Sequence, residues 1–125
     1  MTKSALETVQ AFQQSLGSGS ADWENLLADN ISFIGPVDQV YGKAANIELN
    51  KNFFPLIKGY QAKTALENGN HAVMEGSYTI STPTGGTLDL HTVEIFEVSE
   101  GQIQNIRIYY DAQAFRTEFS IPLNK

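Results

Sequence analysis

The chain changes period halfway along, and this restricts its fold more than any other feature. From Tyr60 onward it reads as four runs rich in β-branched and aromatic residues, 60–66, 72–80, 87–98 and 102–110, interrupted by "NGN", "TPTGG" and "SEG". Such runs, separated by short Gly-containing turns, predict strands joined as successive hairpins, and therefore an antiparallel meander. The "SEG" connection predicts a three-residue turn with Gly101 in the left-handed conformation.

The first half carries helical signals instead. "SALE" at Ser4 to Glu7 has the form of a capping box, and Ala5, Val9, Phe12 and Leu16 then recur on one helical face, with Gly17 as the predicted terminator. Residues 21–29 predict a second helix burying Trp23, Leu26 and Leu27, with Ser20 or Asp22 at its positive end. A short strand follows at 31–34, and a third helix at 42–54 that Pro55 stops. Helices early and strands late predict an α+β domain, with three N-terminal helices covering one face of a curved sheet.

At 125 residues and 42% hydrophobic content the chain has enough material for one core, so 1–125 is expected to be a single domain. Eight basic and fourteen acidic side chains leave a net charge of −6, a field that repels phosphate backbones; nucleic acid is not an expected partner. With no cysteine and two isolated histidines, neither a disulfide nor a thiolate metal site is available, and no metal or cofactor is expected. "MTKSALETVQ" lacks the apolar run of a signal peptide, and no run long enough to span a membrane follows. The expected location is cytoplasmic.

The stretches "DWENLLADNISFIGPVDQVYGKAA" and "VEIFEVSEGQIQNIRIYYD" resemble the helix–strand–loop and the closing hairpin of the NTF2-like superfamily, in its SnoaL-like and ketosteroid isomerase-like branch. The resemblance covers nearly the whole chain. It implies a cone-shaped, cystatin-like α+β fold around an apolar pocket for a small molecule. Isomerases, cyclases, dehydratases and proteins that only bind share that fold, so it names no reaction. A standard ketosteroid isomerase uses an aspartate base, a tyrosine and a protonated aspartate. Here the resemblance puts Phe12 at the tyrosine, Gly35 at the base and Glu94 at the second acid. Steroid isomerisation by that route is therefore not expected.

Alternation identifies the remaining acid. Leu90, Thr92, Glu94, Phe96 and Val98 share one strand face, so Glu94 stands in a mostly apolar row. If that row lines the cone, burial raises the Glu94 pKa and leaves a neutral acid; the competing reading is a Glu94 that faces solvent or forms an ordinary cross-strand pair with Arg107. Placing Val98 opposite Gln102 puts Glu94 near Ile106 and Thr92 near Ile108, with Tyr110 continuing the face. A bulge at Gly101 would substitute Arg107, Tyr109 and Asp111.

The candidate catalytic residues are therefore Glu94, Tyr110, His91 (paired with Asp89 or Asp111) and Asp38 of the "FIGPVDQVYG" loop. The candidate ligand-binding residues are Phe12, Trp23, Phe33, Tyr60, Met74, Tyr78 and Phe96, around a small apolar, carbonyl-bearing molecule. Asp111 is expected to turn the chain so that Phe115 and Phe119 close the cone. Val93 and Ile95, with Tyr109 or Ile108, form an outer apolar strip that predicts a homodimer. Two function classes follow: a proton-transfer enzyme of isomerase, cyclase or dehydratase type, or a module that binds a ligand or a protein without turnover.

Overall fold

The computed structural model describes residues 3–119, so both ends of the expected 1–125 domain lie outside the described residues. Helix α1 (Ala5–Ser18) starts as its sequence requires: Ser4 Oγ accepts from Glu7 N at 3.1 Å while Ser4 N donates to Glu7 Oε1 at 2.9 Å. Its buried face is Ala5, Thr8, Val9 and Phe12. The helix runs past Gly17 and ends at the left-handed Gly19, whose N–H bonds the Leu16 carbonyl.

The helix predicted over 21–29 is only a 3-10 turn, Asp22–Leu26, tied to α1 by Trp23 N donating to Ser15 Oγ at 2.8 Å. Leu27 already belongs to strand β1 (Leu27–Ile34), where Leu27 and Ile31 are completely buried. Pairing and burial within the sheet thus override local helix propensity at 27–29.

A four-residue loop, 35–38, closed by Gly35 N donating to Asp38 O at 2.8 Å, returns the chain as the short strand β2 (Gln39–Tyr41). Helix α2 (Lys43–Phe53) then starts one residue after Gly42. Buried Asn46 locks this corner: its Nδ2 donates to Gly42 O at 2.8 Å and to Val40 O at 3.3 Å. A 3-10 turn, Phe54–Leu56, leads into β3 (Ile57–Asn68), β4 (His71–Ser81), β5 (Thr87–Ser99) and β6 (Gln102–Tyr109). Helix α3 (Ala112–Phe119) follows, with Asp111 Oδ1 accepting from Gln113 N and Ala114 N at its start.

The six strands form one curved, unclosed sheet in the order β2-β1-β6-β5-β4-β3. It is mixed rather than wholly antiparallel, because β1 pairs with β6 in parallel. Parallel neighbours need a long crossover, supplied here by everything between the two strands. The three helices are also not all N-terminal: α1 and α2 cover the concave face, while α3 comes from the C-terminal side.

The β5–β6 hairpin turns on two residues, not three. Glu100 (φ 54°) and Gly101 (φ 76°) both have positive φ, as a type I′ turn requires. Ser99 then faces Gln102 and Val98 faces Ile103, after which an extra residue, Gln104, shifts the ladder so that Glu97 faces Asn105. Glu94 consequently faces Ile108, two residues beyond the expected Ile106. A displacement of two preserves the face, so Ile106, Ile108 and Tyr110 remain inside.

Side chains inside the cone fall into two apolar clusters. One packs Val9, Phe12 and Trp23 against Leu27, Ile31, Phe96 and Ile103; the other joins Ile80, Leu90 and Phe115 with Phe53 and Ile57.

Candidate functional site

Between these clusters lies a cavity of about 150 Å3 whose walls draw on both. The sheet floor consists of Tyr78 on β4, Leu90, Thr92, Glu94 and Phe96 on β5, and Ile106, Ile108 and Tyr110 from the last strand and its end. Phe12 and Leu16 of α1 and Leu49 and Phe53 of α2 roof it. Phe33, Val37 and Asp38 from the first hairpin and Phe115 from α3 complete the rim.

Glu94 is the one acid in the floor, 8% exposed. Tyr78 Oη donates to its Oε1 at 3.0 Å, and no hydrogen bond to its other oxygen occurs among the described residues. Burial pushes its pKa up to about 7, a rise that the Tyr78 hydrogen bond moderates by favouring the ionised form. The carboxyl is therefore poised between neutral and charged near neutral pH. Tyr78 itself lies well above its ordinary pKa, first through burial and then through the neighbouring Glu94. Arg107 is on the outer face opposite Ile95 and donates to Asn105, so it forms no pair with Glu94.

Tyr110 and Asp38 meet at the rim. Burial raises the Tyr110 pKa to about 12, with the Asp38 carboxylate adding to the rise and Arg116 opposing it, so the phenol stays protonated. Arg116 Nη2 also donates to Pro36 O at 3.2 Å, fastening α3 to the 35–38 loop. Phe115 stacks on Phe119 with ring centroids 4.6 Å apart and meets Tyr110 edge-on at 5.5 Å, so these aromatics close the cone at this end.

Four sequence candidates lie elsewhere. His91 points from the outer face and pairs with Glu75 at 3.0 Å; Asp89 instead bonds Thr79, and Asp111 caps α3. Trp23 packs edge-on against Phe12 at 6.2 Å as part of the core. Met74, opposite Glu94 on β4, is buried in that same cluster. Tyr60 sits behind Tyr78, ring centroids 4.4 Å apart, and does not reach the cavity wall. Phe12, Phe33, Tyr78, Phe96, Glu94, Tyr110 and Asp38 do line the cavity.

The walls from α2 and the strand that follows it, Leu49, Asn50, Phe53, Phe54 and Ile57, were not legible as site residues. The only signal was that Phe53, Phe54 and Ile57 form an apolar group around Pro55. Among the described residues no helix is long and apolar enough to cross a membrane, and no three His, Asp or Glu side chains gather in a metal-holding group.

Three helices against a curved, unclosed, mixed sheet of six strands are the architecture of the NTF2-like class. The family model described as a SnoaL-like domain matches residues 9–106, and the chain belongs to that family. No curated protein sequence matches it. Among solved structures, an NTF2-like protein of unknown function from Burkholderia pseudomallei K96243 is similar with a TM-score of 0.81 at 13% identity, covering 95% of this chain and 99% of that one. A candidate SnoaL-like polyketide cyclase from Jannaschia sp. CCS1 gives 0.77 at 20% identity, covering 94% and 92%. A candidate isomerase from Bacillus subtilis gives 0.77 at 20% identity, covering 97% and 96%. At these identities the structural likeness establishes the fold.

Proposed function

We propose that this chain binds a small, ring-sized apolar molecule through a hydrogen-bond-accepting oxygen, and that Glu94 serves it as a proton donor. The observation carrying this reading is the buried Glu94 carboxyl in the floor of an otherwise apolar cavity, with Tyr78 committed to its Oε1. Because Tyr78 donates to Oε1, the proton of neutral Glu94 belongs on the other oxygen. That oxygen is the one free to meet a ligand.

Volume narrows the ligand. About 150 Å3 matches an engineered cavity in another protein that takes up benzene, so one ring fits and a steroid does not without spreading the rim. A neutral acid facing a carbonyl oxygen stabilises charge developing there, which suits enolisation, cyclisation or dehydration next to a carbonyl. Two of the structural neighbours are named as a candidate cyclase and a candidate isomerase, which agrees with such chemistry. The partner base would be Asp38, the only other carboxylate lining the cavity among the described residues.

A second reading, capture without turnover, is favoured by Gly35, which offers no carboxylate where the resembled isomerases have their base. Cyclohexanone in deuterated water separates the two. Saturable shifts at the Phe12, Phe96 and Ile108 amides, with deuterium entering the carbon next to the carbonyl faster than with Glu94→Gln, support the enzyme. Binding without exchange supports capture, and the absence of saturable binding contradicts both.

A further inference from the structure

Beside Glu94, on the same face of the sheet, are two buried hydroxyls that lack partners among the described residues. Gly76 on β4 faces Thr92 on β5, and Met74 beside it faces Glu94, so Thr92 and Glu94 lie in adjacent rungs of one face. From the next strand, the Tyr60 ring lies across Gly76: a Cβ there would stand 2.5 Å from Tyr60 Oη and 2.6 Å from its Cζ. Only glycine admits that close approach. Tyr60 Oη and Thr92 Oγ1 are both sealed from solvent, and neither makes a hydrogen bond among the described residues. Leaving buried hydroxyls unpaired is costly, and two beside a single carboxyl call for an explanation.

The explanation concerns the other protonation state of Glu94. When its O–H bond breaks, the electron pair stays on the carboxylate and the proton passes to the ligand's acceptor atom. A buried carboxylate with one donor is poorly stabilised, because its two oxygens accept several hydrogen bonds. We propose that Tyr60 and Thr92 are positioning residues for ionised Glu94: their hydroxyls turn onto the carboxylate when the proton leaves, making Glu94 a reversible proton carrier. This rests on the proton-donor reading of Glu94 above. The other titratable groups around the site are Tyr78 on β4, Tyr110 and Asp38 at the rim with Arg116 of α3 beside them, and Glu75 on the far side of the sheet near Tyr60. Arg116 is the one cation among them and does not line the cavity, while α1 and α2 turn the uncharged Gln13 and Asn50 toward it. The Tyr60 and Thr92 hydroxyls are thus the unpaired buried donors that the sheet itself offers the carboxylate.

The test is a carbon-13 NMR titration of the Glu94 carboxyl in ligand-free protein, comparing wild type with Tyr60→Phe and Thr92→Val. Each keeps the shape and removes one hydroxyl. The midpoint is expected to rise by about one pH unit in each variant, a tenfold fall in the acid dissociation constant. Thr92→Ser, which restores the hydroxyl, is expected to return it toward wild type. Unchanged or lowered midpoints in both variants overturn the inference, since a merely packing role for either ring or methyl would leave the titration where it was. No ligand is needed, so the outcomes separate. Midpoints that rise without cyclohexanone binding overturn the proposed function alone; cyclohexanone binding with unmoved midpoints overturns this inference alone.

Discussion

Tyr78 Oη stands 3.0 Å from Glu94 Oε1, on the strand next to that of the acid it touches. The contact both orients the carboxyl and opposes the effect of burial on it. A donor favours the charged acceptor, so this bond holds the Glu94 pKa below what burial alone would impose. Replacing Tyr78 by Phe should therefore move the Glu94 midpoint above about 7, and should cost roughly 1 kcal/mol of stability through the lost hydrogen bond. NMR titration checks the first effect and urea unfolding the second.

The raised pKa also makes stability depend on pH with a definite sign. Between the ordinary carboxyl value of 4.5 and about 7, folded Glu94 holds its proton while the unfolded chain has released it. The folded state then binds more protons, so this group's contribution falls as pH rises through that window and levels off above it. The span corresponds to roughly 3 kcal/mol. Urea unfolding of wild type and Glu94→Gln from pH 4.5 to 8 should show the decline in wild type and a flatter profile in the variant. Parallel profiles would remove Glu94 from the account.

Gly76 should tolerate no side chain. The contacts that a Cβ would meet include the backbone carbonyl of Gln61 at 2.5 Å as well as Tyr60, and a backbone atom in a paired strand cannot swing aside. Gly76→Ala is expected to destabilise the protein by about 1–3 kcal/mol, the range for overpacking. A melting temperature equal to wild type would contradict the close approach.

Among the described residues, the three large apolar side chains most exposed to solvent, Tyr41, Leu66 and Tyr109, all lie on the outer face of the sheet. Val93 faces Tyr109 there, and Ile95 and Val73 form the row that leads to Leu66. The expectation from this strip is a two-fold dimer. Light scattering at micromolar concentration should give twice the chain mass, and Leu66→Lys with Tyr109→Lys should halve it without altering the cavity. A monomeric wild type would contradict the dimer.

The cavity floor was legible in the sequence because strands alternate with a period of two. Glu94, Phe96 and Tyr110 were assigned to one face, and a ladder displaced by two residues left that face intact. What was lost is what alternation does not encode. Trp23 and Met74 are as apolar as Phe12 and Phe96, so composition alone does not separate a core position from a cavity wall. Tyr60 has the right parity but is drawn behind Tyr78, where β3 slips register between Ala62 and Thr64. The isolated Gly76 inside a strand was the available sign of that close approach. The start of β1 at Leu27 and the parallel pairing with β6 depend on contacts between residues more than seventy positions apart, beyond the reach of any local pattern.

The most direct measurement is a crystal structure of the protein soaked with cyclohexanone near pH 5.5, below the raised pKa of Glu94. The ketone ring is expected between Phe12 and Ile108, with its oxygen about 2.5–3.0 Å from the Glu94 oxygen that Tyr78 leaves free. A ketone found with its oxygen turned to the rim, or bound only outside the cavity, would contradict it.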